Sequence, residues 1–317
     1  MDLYDAASYH QLALNAAGKS PNTLKLYLLY EKRFLEYLNA RHIAADLDAL
    51  NPLYARQAVL WFQQRRVGTR GGVSATAMFL NVLKTWASFL EAEGVWADSP
   101  LRRVQRVKVR KLERQPYTRA ECNALLYSCS ASSSPERDRF LVELLLGSGA
   151  RIGEVTGLRL GDVRWDRRTI RVLGKGNRER TVPIGDPEQS DGGPVWRSWR
   201  VYLKVRAAQV DRMRGRAHDQ LFLTLAGYPL TAEGGADVIR RLGGSVGVEG
   251  ALPHRFRHTF CTVYLTRYPG DEIGLRRIVG HLSKAVLADY VHLANAEIAL
   301  RAGHGSPMSV WLTEKIR

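Results

Sequence analysis

Apolar residues recur every three or four positions through most of the first hundred residues, which predicts a helical amino-terminal region. Ser20-Pro21 supplies a cap and a first-turn proline to a helix whose apolar stripe is Leu24, Tyr27, Leu28, Leu35 and Leu38. A second helix is expected from about Pro52 to Arg66, followed by the basic, glycine-rich run Val-Gly-Thr-Arg-Gly-Gly. A third, Ser74 to Glu93, places Phe79, Val82, Leu83, Trp86, Phe89 and Leu90 on one side, where core packing is their expected role.

The pattern then changes. Thr118-Arg-Ala-Glu121 has the capping-box spacing and marks the start of a second domain. Ser134-Pro135 opens a helix carrying Phe140, Leu141, Leu144 and Leu145 inward, and after Gly147-Ser-Gly149-Ala a new helix starts at Arg151-Ile-Gly-Glu154. Period-two alternation replaces helical spacing in Val163-Arg-Trp165, Thr169-Ile-Arg-Val172 and Thr181-Val-Pro-Ile184. The intervening turns, Asp166-Arg-Arg168 and Gly174-Lys175-Gly-Asn177, make these a three-stranded antiparallel sheet. Helices are expected again from about Pro194 to Arg214, from Thr231 to Val246, and through Leu252 to Leu293. The fold class is therefore mainly α: a helical first domain, and a mixed helical second domain with one small sheet.

Length favours two domains, and charge identifies what they meet. With 47 Lys and Arg against 31 Asp and Glu, the formal net charge of +16 points to nucleic acid or another polyanion. Composition alone leaves a ribosome-associated or membrane-surface protein open. The basic residues crowd between Leu101 and Gln115, where Arg102, Arg103, Arg106, Lys108, Arg110, Lys111 and Arg114 have little acid among them. This reads as a linker over residues 101–116 crossing a polyanion, between domains at 1–100 and 117–317; an exposed helix tail is the plainer reading. Arg65, Arg66, Arg70 and Lys84 are further phosphate-contact candidates, or a solvated face. Cys122, Cys129 and Cys261 form neither a disulfide framework nor a zinc pattern, so a reducing cytosol is expected. The start Met-Asp-Leu-Tyr-Asp lacks a signal-peptide profile, and no apolar run approaches the ~20 residues of a membrane span. A soluble cytoplasmic protein follows as the expectation.

The candidate chemistry gathers between Leu252 and Leu293: Leu-Pro-His254-Arg-Phe-Arg257-His258-Thr, then Val-Gly280-His281, then Asp-Tyr290-Val-His292. In a helix, His254 and Arg257 leave the same face one turn apart. His281 and Tyr290, nine positions apart, face opposite ways in one unbroken helix at roughly 100° per residue. If both serve one site the helix breaks between them, and Ser283 is a suitable N-cap for a short segment from Lys284 to Tyr290. Arginine, histidines and a tyrosine at helix ends suit a phosphate better than a carbonyl or a sugar.

Taken in order, Gly-Ala-Arg151-Ile-Gly-Glu154, Gly-Lys175-Gly-Asn-Arg-Glu-Arg, His254-x-x-Arg257-His258-Thr, Gly280-His281 and Tyr290 resemble the tyrosine recombinase (phage integrase) family of site-specific DNA recombinases. The resemblance is specific from about Tyr117 to Leu293; before that it rests on a run of helices compatible with the family's core-binding domain. Phe256 and Val279 stand where the family often has leucine, both apolar exchanges.

The resemblance implies the following roles. Arg151 and Arg257 would neutralise the nonbridging phosphate oxygens, bidentately and at any physiological pH. Tyr290 would attack phosphorus to leave a 3′-phosphotyrosyl link and a free 5′-hydroxyl. His254 would take the phenolic proton, Lys175 would protonate the departing oxygen, and His281 would hydrogen-bond the scissile phosphate. Glu154 would orient the site, with His258 and His292 as structural neighbours, and Tyr264 and Tyr268 as packing residues. No metal or nucleotide cofactor is implied. The implied partner is double-stranded DNA bearing a specific site, cut and rejoined within a homotetramer formed from free monomers, in a nucleoid-associated cytoplasmic setting and away from membranes. Ala294 to Leu300 would be a short helical stretch docking on a neighbouring subunit. Two other functions fit parts of the pattern, a type IB topoisomerase and a DNA-binding protein without catalysis.

Overall fold

The computed structural model describes residues 1–65, 72–107, 115–164, 166–174, 179–184, 189–212, 219–280 and 282–304. Lys175, His281, Lys108, Arg110 and Lys111 lie outside the described residues, as do Arg66, Arg70, Arg114, Trp165 and most of the Gly174–Asn177 turn. The chain divides into two compact units, Met1–Leu112 and Glu113–Arg317.

In the first unit, α1 (Leu3–Ala16), α2 (Pro21–Ala40), α3 (Pro52–Gln64) and α4 (Gly72–Ala92) pack as helices. Their starts follow from the sequence: the side chains of Ser20 and Asn51 accept the backbone N–H of Thr23 and Tyr54, and each cap is followed by proline. The core is aromatic, with Phe34, Tyr37, Phe79 and Trp86 all buried. On α2 the buried stripe is Tyr30, Phe34, Leu35 and Leu38, whereas Leu28, expected inward, is exposed. Glu31 occupies the same buried face, where it accepts hydrogen bonds from Gln11 and pairs with His10 at 2.6 Å. A carboxylate inside a helical core needs such partners.

The chain stays in this core beyond residue 100, because Leu101 and Val104 are buried in it. Lys84 donates to the carbonyls of Arg102 and Val104, and Arg102 pairs with Glu91 and Asp98. Lys84 and Arg102 are thus engaged within the unit, while Arg103 and Arg106 are exposed.

The second unit begins with α5 (Arg119–Ser128), whose Thr118–Glu121 capping box forms in both directions. The central helix α6 (Pro135–Ser148) is buried along most of its length and packs against α8 (Gly193–Arg212) and α10 (Pro253–Arg267). Between them lie α7 (Ile152–Thr156) and the antiparallel sheet β1 (Val163–Arg164), β2 (Thr169–Leu173) and β3 (Glu179–Pro183), with Ile170 opposite both Val163 and Val182. α9 (Ala232–Ser245), α11 (Glu272–Val279) and α12 (Lys284–His304) complete it. Among the described residues the protein is mainly helical with one small three-stranded sheet, as its periodicity predicts.

One expectation needs correction. The helix does break after Val279 and restarts behind Ser283, whose hydroxyl accepts the Val286 N–H. The new segment does not stop at Tyr290: α12 runs 21 residues, and the stretch from Ala294 onward continues it. From Lys284 to Ala302 the sequence holds no glycine or proline and is rich in alanine and leucine, so nothing in it ends the helix earlier.

Because Leu101 is fully buried in the first unit, Leu101→Ala should lower the stability of that unit by about 2–5 kcal/mol. Urea unfolding followed by tryptophan fluorescence measures this; an unchanged midpoint would mean that the segment is peripheral to the core.

Candidate active site

The site is built on one stripe of α10. His254, Arg257, His258 and Cys261 fall at i, i+3, i+4 and i+7, so they share a face. The start of this helix is fixed from the other side. Arg255 donates to the carbonyls of Gln115 and Pro116 and to the Glu121 carboxylate, and lies 4.0 Å over the Tyr117 ring. The Tyr117 backbone N–H donates to the Thr259 hydroxyl at 2.8 Å.

Arg257 is 1 % exposed. Its Nη1 donates to the carbonyl of Gly149 at 3.0 Å and to that of Val279 at 2.7 Å. Its Nη2 is buried with no acceptor among the described residues. Gly149 ends α6 in the left-handed region (φ 60°), and a Cβ there would stand 2.6 Å from the Phe260 ring. Glycine is therefore required for that carbonyl to reach the arginine. Burial first, and the like charge of Arg151 second, pull the Arg257 guanidinium below its ordinary pKa. It nevertheless stays charged at any physiological pH. Two guanidiniums close enough to repel make a place where a bound oxyanion relieves the repulsion.

Arg151 stands immediately before α7 and is 39 % exposed. Its Nη1 donates to Glu154 Oε1 at 3.0 Å and its backbone N–H to Oε2 at 2.8 Å. Glu154 is also held by Arg180 on β3, through Nη1 to Oε1 at 3.1 Å and Nη2 to Oε2 at 2.7 Å. Burial pushes the Glu154 carboxyl up, but the hydrogen bonds from Arg180 and Arg151 and their charges outweigh it, so its pKa lies below the usual value. A depressed carboxyl stabilises the fold above its unfolded pKa and loses that contribution as pH falls through the folded value.

Tyr290 is 1 % exposed, and its hydroxyl faces the Cys261 thiol without closing a well-aligned hydrogen bond. Burial, then Cys261, raises the phenol's pKa, against which the Arg257 charge works. The rings form a ladder: His254 meets His258 edge-on at 4.9 Å, and His258 meets Tyr290 edge-on at 5.1 Å. His258 is thus the imidazole next to the phenol, and the exposed His254 is one ring further out.

Of the residues singled out from sequence, Arg151, Glu154, His254, Arg257 and Tyr290 come together here with His258. His292 is exposed on α12. Tyr264 donates to Asp271 at 2.7 Å, and Tyr268 is exposed at the end of α10, so neither competes as the site's hydroxyl. Sequence reasoning missed Arg180 and undervalued His258. Both had a signal: Arg180 lies at two-residue spacing from the inward-facing Val182 and Ile184, on the same face, and His258 lies one turn past His254.

Residues 117–297 match the phage integrase family. Over 295 residues the chain is 30 % identical to the tyrosine recombinase XerC of Mycobacterium sp. (strain KMS), covering 90 % of this chain and 92 % of the relative. It is 27 % identical over 290 residues to the XerC of Roseiflexus castenholzii (strain DSM 13941 / HLO8), covering 91 % and 88 %. Among solved structures, a lambda integrase tetramer bound to a Holliday junction superposes with a TM-score of 0.72 at 14 % identity, over 92 % of this chain and 77 % of that one. At that identity the likeness establishes a common fold.

The raised Tyr290 pKa gives a direct expectation. In an alkaline ultraviolet titration, Tyr290→Phe should remove no phenolate signal near the ordinary tyrosine pKa of about 10. Loss of one tyrosine's amplitude in that range would instead place the ring in water.

Proposed function

The chain belongs to the phage integrase family, and from that premise we propose that Tyr290, Arg257 and Arg151 are the working centre of its strand exchange. The protein is a site-specific DNA recombinase that cleaves and rejoins DNA strands through a covalent 3′-phosphotyrosyl intermediate. The observation that carries the assignment of residues is the buried Arg257 Nη2. It is a charged donor with no acceptor among the described residues, beside the like charge of Arg151 and within electrostatic reach of Tyr290. Such a donor suits the nonbridging oxygen of a phosphodiester, whose negative charge both arginines stabilise as the pentavalent state forms.

In this reading the Tyr290 oxygen forms a bond to phosphorus while the bond from phosphorus to the 5′-oxygen breaks. The phenolic proton passes to an imidazole, and the 5′-oxygen takes a proton from Lys175. Buried and protonated as it stands, the phenol needs that base. His254 is the base that the family resemblance supplies, and His258 holds the phenol ring edge-on. Glu154 orients Arg151, and His281 is assigned to the phosphate by resemblance alone. Because the phosphotyrosyl bond keeps the energy of the broken phosphodiester, ligation is the same path reversed.

The first unit and the exposed Arg103 and Arg106 are assigned to double-stranded DNA, as is the basic run Lys108, Arg110 and Lys111. Strand exchange would take place in a homotetramer, the arrangement named for the lambda integrase structure. The continuation of α12 beyond Ala294 is the candidate for docking on a neighbour. A cytoplasmic, nucleoid-associated setting fits a DNA substrate. The matched relatives are recombinases by name, which leaves a topoisomerase without support.

A covalent-trap assay tests the centre. Nicked duplexes from the gene's genomic neighbourhood are mixed with the protein and resolved on a denaturing gel. The wild type should give a shifted protein–DNA band that Tyr290→Phe lacks, and Arg257→Ala should slow its formation by about 10²–10³-fold. A band persisting in Tyr290→Phe would move the nucleophile elsewhere. DNA affinity should fall with salt along a log–log slope of about −0.9 per phosphate contacted; a flat response would take the basic residues off the DNA.

A further inference from the structure

Arg180 has no part in the chemistry proposed above, yet all three nitrogens of its guanidinium are engaged beside the site. Its side chain is 11 % exposed. It sits on β3, where the alternation turns it inward with Val182 and Ile184. The planar guanidinium spends two N–H groups on the two oxygens of Glu154, and its Nε donates to the carbonyl of Ile278 at 2.8 Å. Ile278 is in the last turn of α11, and the next carbonyl, Val279, is the one that Arg257 takes. A Cβ on Gly280 (φ 79°) would lie 3.3 Å from Arg180 Nη1. The backbone there is thus folded closely over the arginine, in a conformation that favours glycine.

We propose that Arg180 is a positioning residue for strand cleavage, a fork that locks the carboxylate orienting Arg151 to the end of α11 already gripped by Arg257. The inference rests on the catalytic reading of Arg151 and Arg257. In the structure, Arg180 joins the two segments that supply the phosphate-binding arginines. Arg151 reaches it through Glu154, and Arg257 through the consecutive carbonyls 278 and 279. A lysine on the same strand could neutralise Glu154, but it offers a point charge and no planar fork for three fixed acceptors.

The cost of burial suggests why this charge is kept. A buried ion pair contributes little net stability against an apolar pair of the same size, whereas removing one partner is strongly destabilising because the other is left buried and unpaired. Arg180→Gln alone therefore confounds folding with function. The paired variant Arg180→Gln/Glu154→Gln removes both charges together and avoids a lone buried carboxylate. Arg180→Lys keeps the charge and loses the fork.

The experiment measures three quantities on the full chain: the thermal transition, the affinity for a duplex that the wild type cleaves, and the single-turnover rate of covalent adduct formation. The paired variant and Arg180→Lys should melt as cooperatively as the wild type and bind DNA with unchanged affinity. The adduct rate should fall about 10- to 100-fold in the paired variant, the weight of one or two charge-assisted hydrogen bonds, and less in Arg180→Lys. A pH series adds a signature that a structural role alone would not give. The charged groups acting on Glu154 are Arg151 at the start of its own helix, Arg180 on β3 and Arg257 on α10. With Arg180 replaced by Gln, its hydrogen bonds and charge no longer hold the Glu154 carboxyl down, and the pKa moves up. Cleavage by Arg180→Gln should then fall more steeply as pH is lowered than in the wild type. Adding Glu154→Gln should remove that extra slope.

Wild-type adduct rates in the folded paired variant would overturn the proposal. So would a loss of cleavage that tracks a loss of the thermal transition in the paired variant and Arg180→Lys alike, since Arg180 would then serve the fold only. Failure of the wild type itself to form an adduct that Tyr290→Phe lacks would instead strike the catalytic reading.

Discussion

A charged guanidinium in a protein interior is tolerated only where acceptors meet it, and the burial of Arg257 organises everything around it. Its acceptors are main-chain carbonyls at the ends of two other helices, Gly149 after α6 and Val279 at the close of α11. Helix carboxy-termini carry partial negative charge and unsatisfied carbonyls, so both ends favour a cation. The constraint propagates outward. Gly149 must adopt a positive φ and cannot carry a Cβ, because Phe260, three residues past the arginine on α10, fills that space. The loop from α6 to α7 is thereby fixed, and Arg151 stands at its end. One buried cation thus sets the approach of α6, α11 and, through the chain, α7.

The energetics of this arrangement favour specificity over stability. Arg257 satisfies two acceptors through Nη1 and leaves Nη2 over, a poor choice for a residue meant only to hold a core together. Arg151 adds like charge at the same place. Both features are unfavourable in the isolated fold and favourable once an oxyanion lies between them. That is how a site complementary to a charged transition state differs from a structural ion pair.

The legible parts of this molecule were those in which local chemistry decides local structure. The caps at Ser20, Thr118 and Ser283, the strand alternation around Ile170 and the helical stripes through Phe79 and Trp86 depend on neighbours within a few positions, so their spacing reveals them. The residues Arg151, Glu154, His254, Arg257 and Tyr290 were legible as an ordered set, through their resemblance to a family. What was hidden depends on contacts distant in sequence. Nothing near Glu31 announces that His10 will meet it inside the core, and nothing in residues 101–104 says that Leu101 joins the core of the first unit. Arg180 drew no role of its own from the sequence because its partners, Glu154 and Ile278, are 26 and 98 positions away. The length of α12 was misjudged for a different reason: an N-cap marks where a helix begins and carries no information about where it ends.

The two halves of the centre are held by different forces. On the arginine side, Arg180 and Arg257 take adjacent carbonyls of α11, and Glu154 is shared between two arginines, so every element is fixed by charge-assisted hydrogen bonds of defined direction. On the tyrosine side, Tyr290 is held by burial and by the edge of His258, with no well-aligned hydrogen bond to its hydroxyl among the described residues. Directional bonds lose most of their strength on small displacements, whereas apolar and ring contacts can be exchanged for others of similar worth as a helix shifts. The arginine cradle is therefore held by directional bonds, and α12 by the burial of Leu287, Tyr290 and Ala294 against α10. Burial and Cys261 keep the Tyr290 phenol protonated while the Arg257 charge works against them, so the two halves meet in the state of one hydroxyl.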